Sequence, residues 1–539
     1  MSGASGMVKI LVCDPLADEA VAALRARPGM EVVVCAAPPK GEDLLRLVSD
    51  ADAILVRSQT RITAEVIAAA PRLRVVGRAG AGVDNVDLDA ATRRGVLVVN
   101  APAGNSIAAA EQTMALLLAL ARHLPGACAS VREGRWERGK FTGVEVAGKT
   151  LAVLGLGRVG QEVARRALAF RMRVLAYDPF VPSQVARDIG AEPVELSEAL
   201  AGADFLTLHL PLTERTRHLI DAAALASLRP GARLVNCARG ELTDESALAD
   251  AIESGRLAGA ALDVFSEEPP KSETLRRLLA LPQVIATPHL GASTVEAQQR
   301  VGEEVIAKVL DYLATGVPTE AVNFPALTGE QAARLRPFLR MAGDLGAFLA
   351  QIGPSRPKRL ELRFSGELAG LDCRPLTLAA ARGVLSPALE EPVGWVNALT
   401  IASERGLAVE EVVTHEAGPY ANLLEMRLWG ERGEESSVAG THFLPGDARI
   451  VSVDGIPIEA PLASGHFLFF RNNDVPGVVG LIGTVLGASG INIASMAVCR
   501  HTASGTALAM VAVDTEIPPA VLEDIRSRPQ IRTVRQVLI

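Results

Sequence analysis

The stretch KTLAVLGLGRVGQEVA, residues 149–164, leaves this chain few folds to choose from. An apolar run ends in Gly155, Gly157 and Gly160, spaced G-x-G-x-x-G, and the pattern beyond them becomes helical. In such a strand–turn–helix the first glycine permits the tight turn, the second lets a pyrophosphate approach the backbone and the third lets helix and strand pack closely. The helix N-terminus then favours the anion, with Arg158 beside it. The next apolar run, MRVLAYD, ends in Asp178, eighteen residues beyond Gly160. A carboxylate there accepts hydrogen bonds from an adenosine ribose and repels a 2'-phosphate, so the cofactor expected is NAD rather than NADP.

The same rhythm extends in both directions. Before residue 100, VKILVCD, DAILVRS and LRVVGRAG alternate with helical patterns around Leu24 and Ile67, as in a parallel sheet with crossover helices. A long apolar helix is expected at about 106–123, behind the N-cap stretch GNS. From KTLAVLG to QVIATPH six strand candidates form a second α/β unit, and the helix at about 294–314 could return the chain to the first. The segment 314–327 is punctuated by proline and reads as a linker. Residues 330–462 mix helices with amphipathic strands and carry no catalytic motif, and 465–539 read βαββαβ, a ferredoxin-like module.

The expected fold class is therefore α/β: two doubly wound parallel-sheet lobes, then an α+β domain and the ferredoxin-like module. The boundaries are 7–100 and a return segment 290–318 for the first lobe, 101–289 for the Rossmann-like lobe, 319–462 and 463–539 for the rest. A chain of 539 residues cannot be built on one core, which agrees with this division. The opening MSGASG is left out of the fold as a disordered lead-in.

A formal charge of −8 gives no general attraction to nucleic acid or to an anionic membrane, so anions must be held by local clusters of arginine or lysine. The longest apolar run, TMALLLALA, is too short to span a bilayer and reads as a buried helix. Six scattered cysteines without a C-x-x-C pair fit reduced thiols, no metal site and a cytoplasmic location.

Three further strands end in groups that can do chemistry: NCARG with Arg239, LDVFSEEPP with Asp263, Glu267 and Glu268, and TPHLGAST with His289. Ligands of open α/β sheets sit outside the carboxyl ends of the strands, so these residues can converge on the nicotinamide. Oxidising a 2-hydroxy acid needs a group that takes the hydroxyl proton, and imidazole titrates in the right range. His289 is that base, Glu268 or Glu267 can orient it and favour its protonated form, and Arg239 offers a fork of donors to a carboxylate and carbonyl. Singly, each has a plainer explanation: Arg239 a surface cation, Glu268 a solvated acid, Asp263 a helix cap. Their joint position behind a dinucleotide fold carries the reading.

The segments GRAGAGVDNVDL, VLGLGRVGQEVA, NCARGELTDESAL, AALDVFSEEPP and TPHLGAST, with NNDVPGVVG near the C-terminus, resemble the D-isomer-specific 2-hydroxy acid dehydrogenases, within them the long type ending in an ACT domain. The resemblance runs from about residue 8 to the end. It implies catalytic roles for Arg239, Glu268 and His289, and NAD contacts at Arg158, Val159, Asp178, Cys237, Ala238, Arg239 and Asp263 and from His289 through Leu290 and Gly291 to Ala292. It implies oxidation of 3-phosphoglycerate to 3-phosphohydroxypyruvate, the first step of serine synthesis. The phosphate then needs cations, for which Arg57 with Ser58, Arg78, Arg135 and Lys140 are candidates. Asn105 is a further substrate candidate that helix capping would also explain. By the same resemblance Asn472, Asp474 and Asn492 are candidate contacts for an L-serine effector between paired ACT modules, in a homotetramer. Asn472 departs from relatives that carry an aromatic residue there. The rivals are a glyoxylate or hydroxypyruvate reductase and, from another class, an NAD-sensing corepressor on the same scaffold.

Overall fold

The computed structural model describes residues 7–318, 320–325, 329–389, 393–443, 446–501 and 505–539, so the lead-in MSGASG lies outside the described residues. Two all-parallel sheets form the first half of the chain. The first has the order Met30–Val34, Val8–Val12, Ala53–Val56, Val75–Arg78, Leu97–Asn100. Its central strands are buried on both faces, which explains their near-continuous Val, Ile and Leu. Two of the five, Met30–Val34 and Leu97–Asn100, are absent from the strand runs that the sequence offers. Met30–Val34 is a half-exposed edge strand, and Leu97–Asn100 is only four residues long between two turns.

The second sheet is seven-stranded, ordered Val284–Ala286, Leu257–Leu262, Ala232–Asn236, Phe205–Leu208, Thr150–Leu154, Arg173–Tyr177, Glu192–Pro193. The six expected strands are present, and the seventh is a two-residue edge pair. Strand order reverses at Thr150–Leu154, so the glycine turn leaves the sheet at its topological switch point. The apolar run TMALLLALA lies in the helix Ser106–Ala121, ten of whose residues are buried, and it packs on the helix Arg158–Ala169. Among the described residues no single helix is long and apolar enough to cross a membrane.

The helix Val295–Thr315 leaves the second sheet and packs on strands Val75–Arg78 and Leu97–Asn100 of the first. The segment read as a linker is docked rather than loose. Val322 N–H donates to the Val98 carbonyl at 2.7 Å, Asn323 Oδ1 accepts from Val98 N–H at 2.9 Å, and Phe324 is buried against Trp395. The sequence VNF supplies an amide and a ring where the free edge of Leu97–Asn100 needs both.

Beyond it the helix Gly329–Ile352 runs across a six-stranded mixed sheet, Pro357–Gly366 to Ile456–Pro461. The last sheet is antiparallel, ordered Ile493–His501, Thr506–Val513, His466–Asn473, Ile531–Leu538. Along His466–Asn473, Leu468 and Phe470 face the module's own two helices, while Phe467 and Phe469 face the opposite side, with Phe469 edge-on to Phe348 at 5.7 Å. One apolar cluster therefore continues from Ile10 and Leu97 in the first lobe through Val305 and Leu345 to Phe469 in the last module.

Candidate active site

The carboxyl ends of the two parallel sheets face each other across a cleft of about 410 Å³. Arg57, Ser58 and Arg78 line it from the first lobe, Cys237, Arg239, Glu268, His289, Gly291 and Ala292 from the second, and Asn105 from the crossing between them.

The glycine turn is built as a cradle. Gly155 has φ +94° and Gly160 backs directly onto the Gly155 carbonyl, so a side chain at either would collide with backbone. A Cβ at Gly157 would meet nothing within 4 Å, so this side of the turn is open. Gly157 also has no side chain to cap the first N–H groups of Arg158–Ala169, which leaves those of Arg158, Val159 and Gly160 for an anion. The geometry fits a pyrophosphate. Asp178 does not stand free for a ribose: Oδ2 accepts from Leu156 N–H at 2.8 Å and Oδ1 from Phe180 N–H at 2.9 Å. It fixes the turn first, and a carboxylate retains further lone pairs for a ligand.

His289 and Glu268 meet directly, Nδ1 to Oε2 at 2.8 Å. Glu267 instead turns to the N–H groups of Lys271 and Ser272, which resolves the two acids. Burial pushes the Glu268 carboxyl up, but the His289 hydrogen bond, the imidazole charge and Phe265 N–H together outweigh it and hold the group below its ordinary value. His289 has φ +56°, a left-handed conformation that histidine tolerates better than most residues.

Asp263 holds that conformation rather than capping a helix. It is fully buried. Oδ1 accepts from Thr287 Oγ1 at 2.5 Å and Leu290 N–H at 2.8 Å, Oδ2 from Gly291 N–H at 2.8 Å, and its carbonyl accepts from His289 N–H at 2.9 Å. Asp263→Ala is expected to strand three donors, that of Gly291 buried, to cost about 3 kcal/mol and to lower turnover roughly 100-fold by releasing the loop. Thermal denaturation and initial rates check this; an unchanged melting point with an unchanged rate contradicts it.

Arg239 crosses the cleft. Its Nε donates to Asp84 Oδ2 of the first lobe at 3.0 Å and Nη1 to the Ala238 carbonyl at 2.6 Å. The glycines of RAGAG make room for this. A Cβ at Gly82 would overlap the Arg239 guanidinium, and one at Gly80 that of Arg78. Burial, seconded by the Arg239 charge, pulls Arg78 down to about 10, and its Nε is buried without a hydrogen-bond partner among the described residues. Arg57 is also lowered by burial, against the pull of Asp14.

Asn105 starts the helix Ser106–Ala121 but gives it no side-chain cap, and its buried Oδ1 has no partner among the described residues. Capping therefore does not explain it. Arg135 and Lys140 do not line the cleft of this chain. Both are half exposed and are neutralised next door, Arg135 by Glu133 and Glu137, Lys140 by Glu137 at 2.5 Å. In the last module Asp474 accepts from Arg500 at 2.8 Å, Asn492 donates to Asp514 at 2.8 Å, and Asn472 turns to the Asn473 carbonyl. The strand register puts Asp474 and Asn492 at opposite ends of the sheet, so one chain does not bring them together.

Sequence reasoning missed Asp14, Asp84 and Gln298. Asp14 is buried and gathers the Arg57, Gln59 and Thr60 N–H groups, shaping the loop that carries Arg57 and Ser58. Its signal was present: an acid followed by proline closes the first strand just as Asp178 closes another. Asp84 and Gln298 gave none, because one faces its partner only across the lobes and the other lies a turn inside a helix.

Three family models match successive parts of the chain: the D-isomer specific 2-hydroxyacid dehydrogenase NAD binding domain over 114–291, the D-3-phosphoglycerate dehydrogenase intervening domain over 334–454 and the ACT domain over 466–530. D-3-phosphoglycerate dehydrogenase of Synechocystis sp. is 42% identical over 528 residues, 98% of this chain and 94% of its own length. The protein of that name from Methanocaldococcus jannaschii is 42% identical over 98% of this chain and 99% of its own. Among solved structures, the TT0316 protein from Thermus thermophilus matches at 36% identity and TM-score 0.53, covering 58% of this chain and all of that one. D-lactate dehydrogenase from Aquifex aeolicus complexed with NAD and lactic acid matches at 27% identity and TM-score 0.51, over 57% of this chain and 96% of that one. With the cofactor cradle, the paired His289 and Glu268 and the two C-terminal domains in one chain, the protein belongs to the D-3-phosphoglycerate dehydrogenase branch of the D-isomer-specific 2-hydroxyacid dehydrogenases.

Proposed function

We propose that the chain oxidises 3-phospho-D-glycerate to 3-phosphohydroxypyruvate with NAD, the first step of serine synthesis. The observation that carries this is the charge of the cleft, where three arginines, Arg57, Arg78 and Arg239, stand around the His289–Glu268 pair. A lactate or glyoxylate needs one guanidinium; a substrate with a phosphate needs more. A corepressor on this scaffold has no evident use for the ACT domain.

NAD, held at the glycine turn, supplies the hydride acceptor. His289 takes the hydroxyl proton at Nε2, because Nδ1 is engaged by Glu268. Arg239 holds the substrate carboxylate and the oxygen that becomes a carbonyl. Arg57 and Arg78 receive the phosphate end. Purified protein given NAD and 3-phosphoglycerate at alkaline pH should form NADH. Turnover of glycerate or lactate instead would reject the substrate assignment.

Glu268→Gln tests the pair. The wild-type carboxyl, held below its ordinary value, stays ionised across the working range and fixes the imidazole through Nδ1. Removing that charge should lower the plateau of the oxidation rate roughly tenfold, read in initial rates at alkaline pH. An unchanged plateau contradicts the pairing. For the ACT module we propose an amino-acid effector, serine, bound between two copies, since Asp474 and Asn492 meet only if a second chain supplies one of them. That requirement supports a homo-oligomer, and the six free cysteines support a reducing, cytoplasmic setting.

A further inference from the structure

A second cavity, about 230 Å³, opens where the first lobe meets the intervening domain, at the amino ends of the first-sheet strands and so opposite the catalytic cleft. The junction is built closely. Gly95 and Gly394 abut, so that a Cβ on Gly394 would meet the Gly95 carbonyl at 2.5 Å, and Asn397 donates to the Arg93 carbonyl at 3.1 Å.

The walls are cationic. Arg74 and Arg94 come from the first lobe and Arg382 from the helix Arg374–Leu385. Arg74 stacks over Tyr312 at 5.8 Å and Arg382 over Trp395 at 5.0 Å, which fixes the planes of two guanidiniums; Arg382 Nε donates to the Val393 carbonyl at 3.2 Å, and its terminal N–H groups remain for other partners. No aspartate or glutamate lines the cavity among the described residues. The nearby acids are engaged elsewhere: Asp52 pairs with Arg72 at the rim at 2.7 Å, and Asp344 with Arg340 at 3.5 Å. Burial pulls Arg382 below its ordinary value and Arg74 pushes the same way, while Tyr312 and Asp344 pull it up, so among the described residues Asp344 balances only part of the cluster's charge. Burial also pushes the Tyr312 hydroxyl up, which keeps it a neutral donor.

We propose that this cavity is an anion site for a small phosphate dianion, free or as a monoester, held by Arg74, Arg94 and Arg382. Three cations from three elements suit a tetrahedral dianion; a planar carboxylate fills one fork. The space, equal to roughly eight waters at about 30 Å³ each, admits a phosphate. The helix Val295–Thr315 starts just after the His289 loop and brings Tyr312 of its last turn to this cavity, so the site touches the element that follows the catalytic base.

Calorimetric titration of the full-length chain with inorganic phosphate tests it, in an Arg57→Gln background that weakens anion binding in the catalytic cleft. Binding should persist there and weaken at least tenfold on adding Arg94→Gln, an exposed position that leaves folding intact, with the melting point as control. Arg74→Gln should weaken it similarly. Unchanged isotherms in both variants, or no phosphate binding left once Arg57 is replaced, would overturn the site. Acetate binding as tightly as phosphate would overturn the phosphate assignment. Glycerol 3-phosphate bound more tightly than phosphate marks the ligand as a monoester, and bound more weakly marks it as the free ion; either supports the proposal.

Discussion

His289→Ala should lower the rate of 3-phosphoglycerate oxidation by about 10³- to 10⁴-fold, the full contribution of a positioned base, while NAD affinity stays within about threefold. The separation follows from the architecture. The cofactor cradle belongs to the switch point of the second sheet, and the imidazole belongs to a different loop, fixed by Asp263. Alanine at a φ of +56° adds strain of its own, so His289→Asn is the companion variant, because asparagine accepts the left-handed conformation and removes only the base. Both should be inactive in steady-state assays and both should bind NADH in fluorescence titrations. An asparagine variant within tenfold of wild type removes His289 from the mechanism.

Arg239→Gln is expected to reduce kcat/KM by about 10³-fold, since two charge-assisted hydrogen bonds to the substrate are lost in a confined site. Arg239→Lys should be nearly as poor, because the flat fork, not the charge alone, spans carboxylate and carbonyl. Folding should hardly notice either change. The ion pair that Arg239 makes with Asp84 is mostly exposed on the acid side and contributes little in water. A lysine variant with near-normal kcat/KM would show that a point charge suffices and would remove the bidentate contact from the mechanism.

What the sequence made legible was whatever depends on local pattern. The glycine turn, Asp178 and the strand ends of NCARG, LDVF and TPH all follow from period and spacing within about thirty residues, and the structure has them at one end of one sheet. The roles that stayed hidden depend on partners far along the chain. Asp263 serves Leu290 and Gly291, 27 and 28 residues on, and Asp84 reaches Arg239 at a separation of 155. Arg135 and Lys140 stand away from the cleft of this chain and pair with glutamates at 133 and 137, which are plainly visible in the sequence. The strap at 322–324 was hidden because its proline-rich flanks signal a loop, whereas its three central residues complete a sheet edge.

The two catalytic lobes are joined where the chain passes between them near residues 101–105 and again near 287–294. The first passage is stitched to the helix Val295–Thr315 that follows the second. Gly104 N–H donates to Glu304 at 3.1 Å, its carbonyl accepts from Arg300 at 3.2 Å, and a Cβ there would stand 2.9 Å from the Val301 nitrogen. The two lobes are thus tied at one crossing. Arg57 and Arg78 stand on one lobe and His289 on the other, so the placement of the lobes fixes how far apart phosphate and hydroxyl lie in a substrate that fits. Gly104, at the crossing rather than in the cleft, helps to hold that separation.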